Sequence, residues 1–210
     1  MAAVKMADKL KSIGEYYTKK LTSFGATPAG VDWNGEEGQT LRFVQLERLF
    51  DISSVASIAD IGCGYGALLT FLRGRGFRGD YVGIDISAEM IDAARGAHSN
   101  DAGATFDCAR APARACEYAV ASGIMNVRLD TPDDEWRTHI ENTIAVLDRA
   151  GERGFAFNSL TSYSDPERMV ERLYYADPCW LFDLCKSKYS RNVALLHDYD
   201  LYEFTILVRK

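Results

Sequence analysis

A glycine-rich turn between a short apolar run and a helical pattern is the feature that most constrains the fold of this chain. The run at 55–61 is apolar up to Asp60, three glycines follow at alternating positions as Gly62, Gly64 and Gly66, and helical spacing begins at residue 67. Because glycine has no side chain, such a turn bends sharply and lets the backbone approach a ligand closely. The pattern predicts a strand, a tight turn and a helix, with a ligand pocket at the end of the strand.

The rest of the chain repeats this alternation of apolar runs and amphipathic stretches, which is typical of a parallel sheet covered by helices. We expect helices at 67–73, 88–97, 134–150 and 178–186, and strands at 55–61, 81–85, 104–107, 118–122, 154–159, 193–197 and 202–208. The last two strands are separated only by residues 198–201, which is too short for a parallel crossover. They are therefore expected to form an antiparallel hairpin.

Residues 1–54 precede the first strand and have a different character. Helical spacing at 1–24 and again at 36–50 flanks a loop rich in glycine and proline. We expect a helical segment over 1–54 that serves as a lid, followed by the ligand-binding domain over 55–210. At 210 residues, the chain is long enough for one α/β domain with a full core.

Two acidic residues accompany the glycine turn and indicate the ligand. Asp60 stands two residues before Gly62, where a carboxylate can accept hydrogen bonds from an ammonium group but is poorly matched to a pyrophosphate. Asp85 ends the second expected strand, 19 residues after Gly66, where a carboxylate can accept both hydroxyls of a ribose. Together they suit a nucleoside that carries an amino-acid tail, which describes S-adenosylmethionine (SAM).

The run 60–66, read with Asp85, resembles motif I and the following acidic motif of the class I SAM-dependent methyltransferases, and the likeness extends over 55–210. The resemblance implies a Rossmann-like fold with a mostly parallel sheet of seven strands, SAM as cofactor, and methyl transfer. It implies that Asp60, Gly62 and Gly64 line the methionine side of SAM, that Asp85 holds the ribose, and that Asp107 contacts the adenine amino group. The neighbouring residues that complete this cofactor site are Cys63, Ile86, Cys108 and Ser122.

The segment before the first strand adds one further candidate for cofactor binding. Arg42 shares a helix face with Gln39, and its guanidinium can form a bidentate pair with the carboxylate of SAM. Trp33 can close over the site from the preceding loop. The alternative interpretation is a solvated arginine on an amphipathic helix.

Charge and motif together narrow the acceptor. The chain has 24 Lys and Arg against 30 Asp and Glu, a net charge of −6, which argues against a nucleic-acid substrate. The end of the fourth expected strand, Ser122-Gly123-Ile124-Met125-Asn126, lacks the Pro-Pro-aromatic pattern of enzymes that methylate amino groups of nucleic acids. We therefore expect a small-molecule or glycan acceptor, methylated at oxygen or at nitrogen.

His197 is the candidate catalytic base, because it ends an expected parallel strand at the edge of the sheet that carries the pocket, and histidine titrates near neutral pH. The alternative role for His197 is to satisfy the hairpin turn. His98 and His139 are expected at the surface. No acidic triplet or histidine cluster in the sequence indicates a metal site.

The remaining expectations concern the compartment and competing functions. The chain has five cysteines without a CxxC pair, no signal-peptide pattern in its first ten residues and no apolar stretch of the roughly 20 residues that a membrane span needs, so we expect a cytoplasmic protein. Two alternatives stay open at this point. One is an NAD-binding oxidoreductase, which uses a related glycine turn, and the other is a regulatory protein that binds SAM without catalysis.

Overall fold

Seven strands form the sheet around which the chain folds. The structure is a computed structural model that describes residues 2–33 and 35–210. The strands are β1 Ser57–Ile61, β2 Asp80–Asp85, β3 Ala104–Cys108, β4 Cys116–Ala121, β5 Gly151–Leu160, β6 Asn192–Leu196 and β7 Glu203–Arg209. Their order across the sheet is β3-β2-β1-β4-β5-β7-β6.

The first five strands pair in parallel, whereas β7 runs antiparallel to both of its neighbours, β5 and β6. This confirms the expected Rossmann-like sheet and its antiparallel C-terminal hairpin. The strand order reverses direction at β1, which lies between β2 and β4. In sheets of this kind, ligands bind outside the carboxyl ends of the strands at such a switch point.

Helices cover both faces of the sheet. They are α1 Ala2–Phe24, α2 Glu36–Glu47, α3 Ala67–Gly74, α4 Ala88–Ala97, α5 Asp133–Ala150 and α6 Pro178–Lys188. Neighbouring residues of β5 show how the two layers are divided: Phe155 and Phe157 pack with α5 and α6, whereas Ala156 faces α2, α3 and α4. Because side chains alternate along a strand, one apolar run supplies both cores.

The observed bounds differ from the predicted ones mainly at the C-terminal strands. β5 begins at Gly151, directly after α5, and extends to Leu160, because β7 pairs with it from Gly154 to Leu160. β6 ends at Leu196, so His197 lies just beyond the strand and not at its end.

Helix α1 lies across the carboxyl edge of the sheet. Gly14 faces Ile86, which follows β2, and the Thr18 hydroxyl lies 3.0 Å from the Ser87 hydroxyl at the start of α4. Lys9 forms a 2.6 Å ion pair with Asp130, beyond β4. Within the described ranges, no helix has both the length and the apolar character that are needed to cross a lipid bilayer.

Candidate cofactor and acceptor site

The glycine turn after β1 is fixed by hydrogen bonds to the neighbouring strand. The backbone N–H groups of Gly62 and Cys63 donate to the Ile84 carbonyl at 2.8 and 2.9 Å. Gly62 has φ of +77°, and a Cβ there would lie 2.1 Å from Cγ2 of Ile124. A side chain at this position would therefore be strained and would also collide with the segment after β4. At the carboxyl ends of the strands, the backbone of the turn is therefore not covered by side chains at the glycine positions.

His98 supports this turn from the side. Its Nε2 lies 3.0 Å from the Gly66 carbonyl, and its ring stacks on Phe106 at 5.6 Å between centroids. His139 is likewise half-buried, beside the Trp136 ring, and burial lowers the pKa of His139 to about 4. Both histidines were expected at the surface, whereas the structure places each of them half-buried beside an aromatic ring.

Asp85 connects the end of β2 to the glycine turn. One of its carboxylate oxygens accepts the backbone N–H of Gly64 at 3.0 Å, and the other accepts the N–H of Ser87 at 2.9 Å. Burial raises the pKa of the Asp85 carboxyl, and these hydrogen bonds oppose the rise. Each oxygen has further lone pairs, so this carboxylate can still accept hydroxyl groups from a ligand.

Asp60 is buried at the end of β1. One of its oxygens accepts the Tyr81 hydroxyl, and the other, Oδ1, has no hydrogen-bond partner among the described residues. Burial raises the pKa of the Asp60 carboxyl to about 7, opposed by the Tyr81 hydrogen bond and reinforced by the charge of Asp85. A buried acceptor without a partner is uncommon and favours a site that takes up a cation or a donor. The residues around the turn therefore fit a positively charged amino-acid nucleoside.

Two cavities lie at the carboxyl edge of the sheet, and the first of them adjoins the glycine turn. The first, of about 380 Å³, runs from Gly62, Gly64 and Asp85 past Gly123 to the segment that follows β5. The second, of about 660 Å³, lies beneath α1 and is lined by Ile86, Cys108 and Arg110 from the sheet side. Both volumes fall within the roughly 300–1,000 Å³ that is typical of small-molecule pockets.

The structure brings most of the residues expected to bind the cofactor to these cavities. Gly62, Gly64, Asp85, Ser122 and Arg42 line the first cavity. Ile86 and Cys108 line the second. Together they surround the carboxyl ends of β1, β2, β3 and β4.

Four of the expected site residues lie outside the lining of both cavities: Asp60, Cys63, Asp107 and His197. Cys63 points into the core, where its sulfur would lie 3.0 Å from a Cβ at Gly83. Asp107 is exposed at the end of β3 and lies 3.6 Å from Arg95. His197 is exposed, and its ring lies 5.9 Å from that of Tyr163 and 6.1 Å from that of Phe204.

Arg42 lines the first cavity but is already bound to a carboxylate. Its Nε and Nη2 donate to the two oxygens of Glu203 at 2.8 and 2.7 Å, and the pair is buried. Its guanidinium stacks on the ring of Trp33, with 3.8 Å from Cζ to the ring centroid. The interpretation of Arg42 as a solvated arginine is therefore wrong. Of its guanidinium nitrogens, only Nη1 lies outside the pair with Glu203.

Several lining residues were missed from the sequence. Tyr17 of α1 and Asp32 belong to segment 1–54, whereas Arg168 and Arg172 lie in the irregular stretch between β5 and α6. Burial raises the pKa of the Tyr17 hydroxyl. The sequence offers one indication that these two arginines lie near the site. Their segment follows a parallel strand, so it starts at the edge of the sheet that carries the glycine turn.

Known proteins that resemble this chain are methyltransferases. A family profile described as a methyltransferase domain matches residues 58–151. The Mycobacterium tuberculosis protein Rv1506c, whose name assigns it to the methyltransferases, is 58% identical over 163 residues, which are 78% of this chain and 98% of that protein.

Solved structures show the same fold. The DhpI-SAM-HEP complex aligns with a TM-score of 0.66 at 16% identity, over 96% of this chain and 98% of that chain. Phosphoethanolamine N-methyltransferase 1 of Haemonchus contortus, solved with phosphoethanolamine and S-adenosylhomocysteine (SAH), aligns with a TM-score of 0.69 at 9% identity, over 96% of this chain and 48% of that chain. An O-methyltransferase family protein from Burkholderia thailandensis aligns with a TM-score of 0.59 at 9% identity, over 80% and 55% of the two chains.

Proposed function

The chain belongs to the class I SAM-dependent methyltransferases, and on that basis we propose that it methylates a small-molecule or glycan acceptor at an oxygen or nitrogen atom. The observation that carries this proposal is the continuity of the first cavity. Gly62, Gly64 and Asp85 line one part of it, and side chains from the segment after β5 line another. One cavity thus borders the glycine turn on one side and a separate set of side chains, suited to an acceptor, on the other.

The cofactor half of the site is proposed as follows. The bare backbone at Gly62 and Gly64 adjoins the methionine part of SAM, and Asp85 accepts the ribose hydroxyls. Ile86 and Cys108 flank the adenine in the second cavity, close to Asp107. When bound, SAM supplies an electrophilic methyl group on a sulfonium. The ionised form of Asp60 offsets part of the positive charge of that cofactor.

We propose that the protein contributes to methyl transfer mainly by positioning the acceptor. Holding a nucleophile in line with a methyl group, away from water, lowers the barrier by reducing the entropy lost on reaction. Segment 1–54 acts as the lid in this proposal, since Tyr17, Trp33 and Arg42 all line the first cavity. Ser122 and Gly123 close the cavity from the end of β4.

A role for His197 as the base stays a proposal that the geometry does not favour. A hydroxyl acceptor needs a base within hydrogen-bond reach of the proton that it removes. The ring of His197 is exposed beside Tyr163, outside the lining of the cavity. Asp32 and Glu203, the carboxylates of this cavity beyond Asp85, are both engaged with cationic side chains.

The experiment begins with the cofactor. SAH is titrated by calorimetry into the wild-type protein, Asp85→Ala and Asp80→Ala, where Asp80 is the exposed aspartate at the opposite end of β2. Hydrogen bonds to a charged group contribute about 1.5–3 kcal/mol, so Asp85→Ala is expected to weaken SAH binding by roughly 10- to 100-fold, and Asp80→Ala to leave it unchanged.

Transfer of a labelled methyl group to a panel of alcohols, amines and monosaccharides then identifies the acceptor class. Tight SAH binding with no methylated product in any member of the panel would favour the non-catalytic regulatory role. No heat with SAM or SAH would overturn the proposed site altogether.

A further inference from the structure

The segment between β5 and α6 places two arginines in the first cavity. Arg168 and Arg172 line it together with Ser164, Val170 and Tyr175. Because β4 separates β5 from β1 in the sheet, this segment borders the cavity two strands away from the glycine turn. The arginines therefore belong to the acceptor side of the site, not to the cofactor side.

Neither arginine forms a short ion pair within the protein, although Tyr16 and Asp32 lie beside Arg172 and raise its pKa. The closest carboxylate oxygen to Arg172 belongs to Asp32, at 3.5 Å, and that of Arg168 belongs to Asp165, at 3.9 Å. Charge-assisted hydrogen bonds between such groups are normally about 2.7–2.9 Å long. The pair of Arg42 and Glu203 in the same cavity meets that standard, at 2.7 Å.

Asp32 is already held by other groups, which explains its loose contact with Arg172. Lys20 contacts one of its oxygens at 2.6 Å, and the Tyr16 hydroxyl donates to the other. Although burial acts to raise the pKa of Asp32, these two hydrogen bonds, together with the charges of Lys20 and Arg172, lower it overall. Lys20 is thus the main cationic partner of Asp32, and Arg172 is a secondary one.

The hydroxyl groups beside the arginines also have local partners. Ser164 donates to the Thr161 carbonyl at 2.7 Å, the Tyr175 oxygen accepts the N–H of Val170 at 2.9 Å, and Tyr202 donates to Asp165. The guanidinium groups are therefore the strongest donors that this end of the cavity presents to a ligand. Their positive charge stands out in a chain whose net charge is −6.

We propose that the methyl acceptor carries an anionic group, phosphoryl or carboxyl, that docks on Arg168 and Arg172. This inference rests on the proposed function, because it concerns the acceptor of the same site. The planar donor edge of a guanidinium matches the spacing of two oxygens in either anion. The anionic group fixes the orientation of the acceptor, while a separate oxygen or nitrogen of the same molecule receives the methyl group.

The test measures binding of methylphosphonate, acetate and uncharged N-methylacetamide to the SAH-loaded protein at constant ionic strength. We expect the anions to bind and the amide not to bind, and the stronger of the two anions distinguishes a phosphoryl from a carboxyl acceptor. Loss of one charge-assisted contact is expected to weaken anion binding roughly tenfold in Arg168→Ala or Arg172→Ala, and roughly a hundredfold in the double variant.

Arg153→Ala is the matched control, because the Arg153 side chain is 58% exposed, as compared with 68% for Arg168, and lies outside both cavities. Arg172→Lys retains the positive charge beside Asp32. It therefore shows whether a loss of anion binding in Arg172→Ala reflects a disturbed segment 1–54. SAH titration of every variant reports whether the cofactor site persists.

The outcomes separate the two proposals. Failure of the wild-type protein to bind SAH would overturn the proposed function. Binding of SAH without binding of either anion, or equal anion affinities in the wild-type protein and the double variant, would overturn the anionic acceptor alone.

Discussion

Arg42 and Glu203, which are 161 residues apart in the sequence, form a buried ion pair with two hydrogen bonds that joins α2 to β7. Burial acts to raise the pKa of the Glu203 carboxyl, and Arg42 opposes this rise. The ring of Trp33 stacks on the same guanidinium. One contact therefore fixes both the position of α2 on the sheet and the aromatic wall of the cavity.

Arg42→Ala is expected to lower the free energy of unfolding by about 3–5 kcal/mol, because it leaves the buried carboxylate of Glu203 without its cation. Urea denaturation measures this loss. Arg48→Ala, on the same segment but exposed, is the control and should change stability little. The double variant Arg42→Met with Glu203→Leu should recover most of the loss, since it removes both charges. Equal stabilities for Arg42→Ala and Arg48→Ala would contradict the importance of the pair.

The stability of the protein should depend on the ionisation of Asp60. Its pKa rises from 3.8 to about 7 on folding, so its contribution to stability is fully present below about pH 4 and is lost as the pH rises through 7. Asp60→Asn removes this ionisation. The stability of the wild-type protein relative to Asp60→Asn should therefore fall between about pH 4 and about pH 7, with a slope of at most about 1.4 kcal/mol per pH unit.

Urea unfolding of both proteins at several pH values in this window provides the measurement. Glu203, whose carboxyl also has a raised pKa, is common to the two proteins and cancels in the difference. Parallel stability curves would show that Asp60 ionises as readily in the folded chain as in the unfolded chain.

Gly123→Ala is expected to displace Trp33. A Cβ at Gly123 would lie 2.4 Å from Cζ2 of the Trp33 ring, and the backbone there has φ of +76°. The left-handed conformation alone costs a non-glycine residue about 1–2 kcal/mol. We expect lower stability, an altered tryptophan emission spectrum and weaker methyl transfer.

Gly96→Ala is the control for this substitution, because nothing lies within 4 Å of a Cβ at that helical position. It should stabilise the protein by roughly 0.5–1 kcal/mol. Repeating Gly123→Ala in a Trp33→Phe background assigns the spectral change. The same spectral change in that background would exclude Trp33 as its source.

His197→Gln is expected to leave both SAH affinity and methyl transfer close to the wild-type values, because the ring of His197 is exposed and lies outside the lining of the cavity. A general base usually contributes about 100- to 10,000-fold to the rate. The dependence of kcat/KM on pH is the measurement. A loss of that size would contradict this expectation and favour His197 as the base.

The features predicted well from the sequence are those that local spacing encodes. The glycine turn, the acid at the end of β2 and the alternation of strands and helices each occupy a short window of the chain, so residue pattern alone identifies them. The residue pattern alone could not show that the side chain of Asp107 is exposed or that the side chain of Cys63 points into the core. These orientations depend on which side chains each strand end meets in the folded sheet.

The acceptor side was the least predictable part of the site. Arg168 and Arg172 lie in a stretch whose only regular element is a short 3-10 turn, Pro166–Arg168, so no periodic pattern marks them as neighbours of a cavity. The partner of Arg42 was equally hidden, because an ion pair between residues 161 positions apart leaves no local signal. Such contacts are decided by the topology of the whole sheet.

The position of β7 between β5 and β6 has a consequence for how the protein is synthesised. Glu203 leaves the ribosome 161 residues after Arg42, so the charge of Arg42 cannot be neutralised by its native partner during most of translation. Contacts between such distant residues form late, and chains that depend on them fold slowly. The ion pair between α2 and β7 therefore forms only after the hairpin of β6 and β7 has been synthesised.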